Sequence, residues 1–172
     1  KIVGHNTDIE GFELAIQDTK FDIINKEILI LGAGGVVPSI IFALKKMGVN
    51  KIVLSNRTKN KAEDLKNIFK DIKIIEWGKL VNFDLIINAT SIGLNKSDKI
   101  NLDFSRIGDN KFFYDVIYNP KTTNFLNIGK EYGNKIENGK MMFIYQALAS
   151  FKIWHNIEPK INDEVIKILD ND

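Results

Sequence analysis

Three observations predict an α/β chain built on a doubly wound, mostly parallel sheet with helices on both faces. Short apolar runs alternate with amphipathic stretches, the first run ends in a glycine-rich turn that opens a helix, and the C-terminal part is helical in pattern. Element by element, Thr7-Asp8-Ile9-Glu10 matches a capping box, which places a helix over about residues 8–17. Residues 27–31 form a continuous apolar run, read as a strand buried on both faces, and Gly32-Ala33-Gly34-Gly35 turns the chain after it. Ile40, Ile41, Ala43, Leu44 and Met47 then recur at helical spacing and stop at Gly48. A second strand is expected over 51–55, followed by a helix over about 59–69. Strand-like runs at 73–75, 84–88 and 111–116 are separated by helical or irregular pieces, and helices are expected over 139–154 and 162–169.

At about 100–200 residues per domain, 172 residues make one domain rather than two complete ones. Lys+Arg 24 against Asp+Glu 22 is too balanced for a nucleic-acid binder, and 44% hydrophobic residues exclude disorder. With no cysteine and two histidines, His5 and His155, thiolate chemistry is excluded and no metal is expected. No apolar run reaches the roughly 18–20 residues of a membrane span, so a cytoplasmic protein with no membrane partner is expected. The chain begins at Lys1 rather than Met, as a piece of a longer protein would.

Gly32 to Val37 fits G-x-G-x-x-G/A at its first two glycines only, with Val37 at the third small position. Its place between a buried strand and a helix aims free backbone N–H groups and the positive helix end at a pyrophosphate. Pro38 falls in the first helical turn, where its missing N–H costs nothing. A glycine-rich turn without a ligand is the alternative. About 20 residues past the glycines, an NAD site usually places a carboxylate. Here stand Ser55-Asn56-Arg57-Thr58 and then Lys61, a set suited to a 2′-phosphate. Lysine is the default cation of this chain, and of its two arginines, Arg57 and Arg106, one falls where NADP would need it. A solvated basic helix start is the competing reading, though cations there oppose the helix dipole.

The ordered motifs resemble the C-terminal, nucleotide-binding half of the shikimate dehydrogenase family. They are Gly4-His5-Asn6-Thr7-Asp8 with Gly11-Phe12, then Gly32-Ala33-Gly34-Gly35, Asn56-Arg57-Thr58 and Asn88-Ala89-Thr90-Ser91-Ile92-Gly93. Asp115-Val116-Ile117-Tyr118-Asn119-Pro120 with Thr123, and Gly139 through Gln146-Ala147, complete the set. The pattern departs at Val36-Val37-Pro38, where small residues are usual, and at Gly139-Lys140-Met141, which lacks a second glycine.

The resemblance implies a Rossmann-like fold and reversible, NADP-dependent reduction of 3-dehydroshikimate to shikimate, a step of aromatic amino-acid biosynthesis. Asp8 corresponds to the catalytic aspartate, working beside a lysine on the proton of the reacting hydroxyl. Asn6, Asp8, Tyr118 and Gln146 correspond to substrate-facing positions. Gly32, Ala33, Gly34, Gly35, Val36, Asn56, Arg57, Thr58, Lys61, Ala89, Thr90, Ser91, Val116 and Gly139 correspond to the cofactor side. On the residues alone, Asp8 reads as a helix cap, Tyr118 as a strand-end aromatic and Gln146 as a polar helix residue.

The expected organisation is a linking helix with the aspartate motif over 1–20, the nucleotide domain over 21–138 and C-terminal helices over 139–172. The family's preceding substrate domain, with its lysine, is absent, so the chain is expected to bind NADP(H) without turning over shikimate. Surface facing that domain would be exposed, and a homodimer is one way to cover it. Two rivals are an NAD-using quinate/shikimate dehydrogenase and a free-standing NADP-binding regulatory module. Arg57 and the missing carboxylate oppose the first, and the set Asn6, Asp8, Tyr118 and Gln146 opposes the second.

Overall fold

A computed structural model describes residues 2–169; Lys1 and the part of the expected C-terminal span past residue 169 lie outside them. The strands β1 (Glu27–Leu31), β2 (Lys51–Ser55), β3 (Lys73–Ile75), β4 (Leu85–Asn88), β5 (Phe112–Asp115) and β6 (Lys135–Glu137) form one sheet. Their order is β3-β2-β1-β4-β5-β6, with every pairing parallel. This is the doubly wound order, and it reverses direction between β1 and β4.

The period of two along each strand divides the core. Ile28, Ile30, Ile52, Leu54, Leu85, Ile87, Phe112 and Tyr114 face one side, and Leu29, Leu31, Val53, Ile86 and Phe113 face the other. The in-register pairing of Ile28 with both Ile52 and Leu85 keeps each face apolar across the central strands. Continuous apolar runs in the sequence are therefore two interleaved half-cores.

The first face is covered by α1 (Thr7–Asp18), α2 (Val37–Lys46), α3 (Lys59–Ile68) and the N-terminal part of α5 (Lys140–His155), through Phe12, Ile16, Ile40, Leu44, Leu65 and Met142. On the second face the only helix packed among the described residues is α4 (Asn124–Glu131), contributing Phe125 and Leu126. The rest of that face is covered by an irregular segment carrying Ile100 and Phe104, not by the further helices that an evenly doubly wound fold would have. The last helix, α6 (Asp163–Ile168), buries no residue.

Helix α1 starts one residue earlier than the capping box implies, and its cap is Asn6, whose Oδ1 accepts from the Asp8 N–H at 3.1 Å. Thr7 is drawn away from the cap because its hydroxyl bonds Ser150 on α5 at 3.0 Å. Helix α4 is capped by Thr123, which accepts from the Leu126 N–H at 3.3 Å.

Three polar side chains are buried at the carboxyl ends of β4 and β5. Asn88 and Asp115 are paired in register, and Asn88 Nδ2 donates to Asp115 Oδ1 at 3.0 Å. The Ile117 N–H donates to the same oxygen at 3.0 Å, and Thr123 Oγ1 donates to Asp115 Oδ2 at 2.6 Å. Every contact is to a donor, which suits a carboxylate, yet burial prevails and pushes the pKa of Asp115 up to about 6.

Two outcomes are expected. Between about pH 4 and 6 the folded chain keeps a proton on Asp115 that the unfolded chain has released, so stability falls as pH rises through this window and levels off above it. Urea unfolding should show a decline on the order of 1–3 kcal/mol that Asp115→Asn removes; an identical pH profile in the variant would contradict the assignment. The Tyr114 hydroxyl is buried with no partner among the described residues. Tyr114→Phe keeps the edge contacts to Phe12 (5.5 Å) and Phe112 (6.2 Å), and should raise stability by about 1 kcal/mol; a lower urea midpoint would contradict it.

Candidate functional site

The carboxyl ends of β1, β2 and β4 open onto a cleft of about 410 Å³, at the position where the strand order reverses. Its walls include Gly32, Ala33, Gly34, Asn56, Arg57, Thr58, Lys61, Ala89, Thr90 and Ser91, all expected on the cofactor side. Trp77 and Ile92 line it as well; Ile92 belongs to the 88–93 motif without being expected on the cofactor side, and Trp77 was not expected at all. Trp77 follows a short edge strand and belongs to no motif, so it carries no local signal.

The glycine turn fits its place for steric and electrostatic reasons. Gly32 has φ +109°, and a Cβ there would lie 2.6 Å from the Ala89 carbonyl oxygen, so only glycine lets the β1 and β4 ends approach this closely. Beyond it, the N–H groups of Gly34, Gly35 and Val36 have no hydrogen-bond acceptor among the described residues. No side chain caps α2, and Pro38 stands at its second position. Gly35 and Val36 are not among the cleft-lining residues, and what they bring to an anion is their backbone.

At the end of β2, Asn56 is used locally, its Nδ2 donating to the Thr58 carbonyl at 2.7 Å. Arg57 and Lys61 are exposed, and no ion pair engages either among the described residues. No carboxylate lines the cleft. Nearby Glu76 is paired with Lys79 at 2.8 Å, which holds its carboxyl below the usual carboxylate range. An unpaired guanidinium and ammonium beside orphan N–H groups make this an anion cleft with two positive subsites.

The third wall is held from below by the Asn88 amide. Asn88 Oδ1 accepts from Thr90 N at 3.1 Å and from Thr90 Oγ1 at 2.7 Å, while Nδ2 also reaches the Ile92 carbonyl at 3.1 Å. Thr90 Oγ1 in turn accepts from the Ile92 N–H at 3.0 Å, so its hydroxyl is committed to the loop. Ser91 is exposed at the loop tip.

The remaining expected residues form a second group along α5. A Cβ on Gly139 would fall 1.9 Å from the Val116 carbonyl oxygen, so these two residues are packed backbone to backbone. Asn138 fixes the start of α5 by accepting from the Lys140 N–H at 3.0 Å and donating to the Lys121 carbonyl at 2.9 Å. Tyr118 stacks on Phe143 with centroids 4.7 Å apart, and Gln146 Nε2 bonds the Phe143 carbonyl at 3.1 Å. Helix α1 lies against the same turn of α5, since a Cβ on Gly11 would meet Gln146 Cβ at 2.8 Å. Asp8, one turn earlier on α1, is half-buried. Asn6 is engaged at both ends, capping α1 and donating to Ser39 of α2 at 2.9 Å. The sequence-selected residues thus fall into an anion cleft over β1, β2 and β4, and a group strung along α1, α5 and the end of β5.

The family model for shikimate / quinate 5-dehydrogenases matches residues 13–121. The shikimate dehydrogenase (NADP(+)) of Pelagibacter ubique is 58% identical over 170 residues, covering 99% of this chain and 64% of that protein. The crystal structure of shikimate dehydrogenase from Aquifex aeolicus superposes with a TM-score of 0.86 at 34% identity, covering 98% of this chain and 62% of that one. That of the Thermus thermophilus enzyme in complex with NADP(H) and shikimate gives 0.83 at 28% identity, covering 96% and 62%. The chain spans less than two thirds of the length of these relatives. Matched by the family model over most of its sheet and in family order along nearly its whole length, the chain belongs to the shikimate / quinate 5-dehydrogenase family.

Proposed function

We propose that this chain is the NADP(H)-binding half of a shikimate dehydrogenase. The observation that carries the reading is the cleft itself, with unpaired N–H groups at Gly34, Gly35 and Val36 at one end and unpaired Arg57 and Lys61 at the other, and no lining carboxylate. The first group suits a pyrophosphate and the second a ribose 2′-phosphate, which NADP carries and NAD lacks. Gly32 and Ala33 shape the turn, Asn56 and Thr58 shape the basic corner, and Ala89, Thr90, Ser91, Val116 and Gly139 border the nicotinamide end.

The bound cofactor supplies a hydride acceptor for the alcohol or, in reverse, a hydride donor for the ketone. The chain's own part is to hold the substrate and its proton. Asp8 takes the proton of the hydroxyl as hydride leaves, Gln146 hydrogen-bonds a substrate hydroxyl, Tyr118 offers its hydroxyl to the carboxylate end or the ring, and Asn6 fixes the start of α1 and thereby Asp8. Among the described residues no lysine is bonded to the Asp8 carboxylate, although the alkoxide that develops needs a cation beside it. The relatives' further length is where that group would be supplied.

Exposed Phe143, Phe151, Ile153 and Trp154 on α5 give an apolar face that a second copy or the rest of a full-length enzyme would cover. Among the described residues no helix is long and apolar enough to cross a membrane, and a cytoplasmic location suits a chain that binds NADP(H).

Calorimetry should detect NADP+ binding to the 172-residue chain. The double variant Arg57→Ala, Lys61→Ala should weaken it by about 10–100-fold, the loss of one or two charge-assisted bonds, while leaving NAD+ affinity unchanged. Equal loss for both cofactors would contradict the 2′-phosphate assignment. Shikimate added to the NADP+-loaded chain should produce no NADPH absorbance; turnover would show that Asp8 needs no partner beyond these residues.

A further inference from the structure

We infer that Trp77 is the platform on which the purine base of the cofactor stacks, and that the adenosine end of the cleft binds 2′-phosphorylated adenosine fragments without help from the nicotinamide end. The inference rests on the NADP(H) reading and extends it to a residue outside every motif. Trp77 is the aromatic member of a cleft lining that also holds Arg57, Thr58 and Lys61. Its position follows from the sheet. β3 pairs in parallel with β2, and Ser55 Oγ donates to the Glu76 carbonyl at 3.3 Å, which ties the chain just past β3 to the end of β2 where the basic corner begins. Gly78, at φ +97°, turns the chain away immediately afterwards and leaves the indole at the cleft wall.

Several features fit a stacking role. The indole packs against the second core cluster and is half-buried, so it is anchored from below and its place is set before any ligand arrives. Its N–H has no hydrogen-bond acceptor among the described residues, so no polar contact fixes the ring for a purely structural purpose. Pyrophosphate at the Gly32–Val36 turn and a 2′-phosphate at Arg57 and Lys61 direct the remaining part of the nucleotide, the base, outward over β2 and β3. Trp77 is the side chain there with a large apolar face, and stacking on such a face is available to any purine.

The chain's two tryptophans make the test direct, because Trp154 lies far along α5 and is 76% exposed. In a Trp154→Phe background, emission reports Trp77 alone. NADP+ and adenosine 2′,5′-bisphosphate should each quench it, while nicotinamide mononucleotide should not. By calorimetry, Trp77→Leu should weaken both adenosine ligands by about tenfold with the preference for NADP+ over NAD+ retained, and Trp77→Phe should keep most of the affinity. Urea midpoints of the two variants identify any loss due to unfolding, and the quenching experiment needs no change at residue 77. NADP+ binding without quenching, and with Trp77→Leu within twofold of the parent, would overturn the role of Trp77 and leave the cofactor reading standing. No NADP+ binding in the parent would overturn both.

Discussion

The hydrogen bond from the Asn88 amide to the Asp115 carboxylate, 3.0 Å long and fully buried, is the constraint on which both halves of the site depend. The two residues are register partners at the carboxyl ends of adjacent strands, so parallel pairing alone brings them together. From Asn88 the network runs outward through Thr90 and Ile92 to the third wall of the anion cleft. From Asp115 it runs through Ile117 and Thr123 to the turn that presents Tyr118 and to the cap of α4. Leaving a polar group unpaired at this depth is costly, and in this network the Asn88 amide, the Thr123 hydroxyl and the Ile117 N–H each meet an acceptor. The third wall of the cleft and the turn that carries Tyr118 are therefore parts of one buried polar unit.

A second constraint is steric. Close approaches at Gly32 to Ala89 and at Gly139 to Val116 bring backbone against backbone where any side chain would intervene. One closes the floor of the cleft, and the other sets the start of α5 against the end of β5. Because α1 is packed on α5 around Gly11, the same positioning carries Asp8 and Gln146. The α1–α5 group is thus positioned by the sheet and its helices rather than by a separate scaffold.

The central strands were legible because burial on both faces forces unbroken apolar runs, as in residues 28–31 and 85–87. β6 was not, since an edge strand reading Lys-Ile-Glu buries little and leaves no such run. The start of α1 was misread by one residue because Asn6 and Thr7 are both good caps, and only the distant Ser150 decides between them. Arg57 stood out through its rarity in a lysine-rich chain and lies in the cleft. Trp77, Asn138 and the Asn88–Asp115 bond depend on partners far away in sequence, so no local pattern announces them.

A crystal structure of this chain grown with NADP+ tests the account most directly. The account predicts a pyrophosphate on the N–H groups of Gly34 to Val36, the 2′-phosphate between Arg57 and Lys61, and the nicotinamide directed toward Val116 and Gly139. A cofactor lying in the reverse direction, or bound away from the β1–β4 switch point, would contradict it.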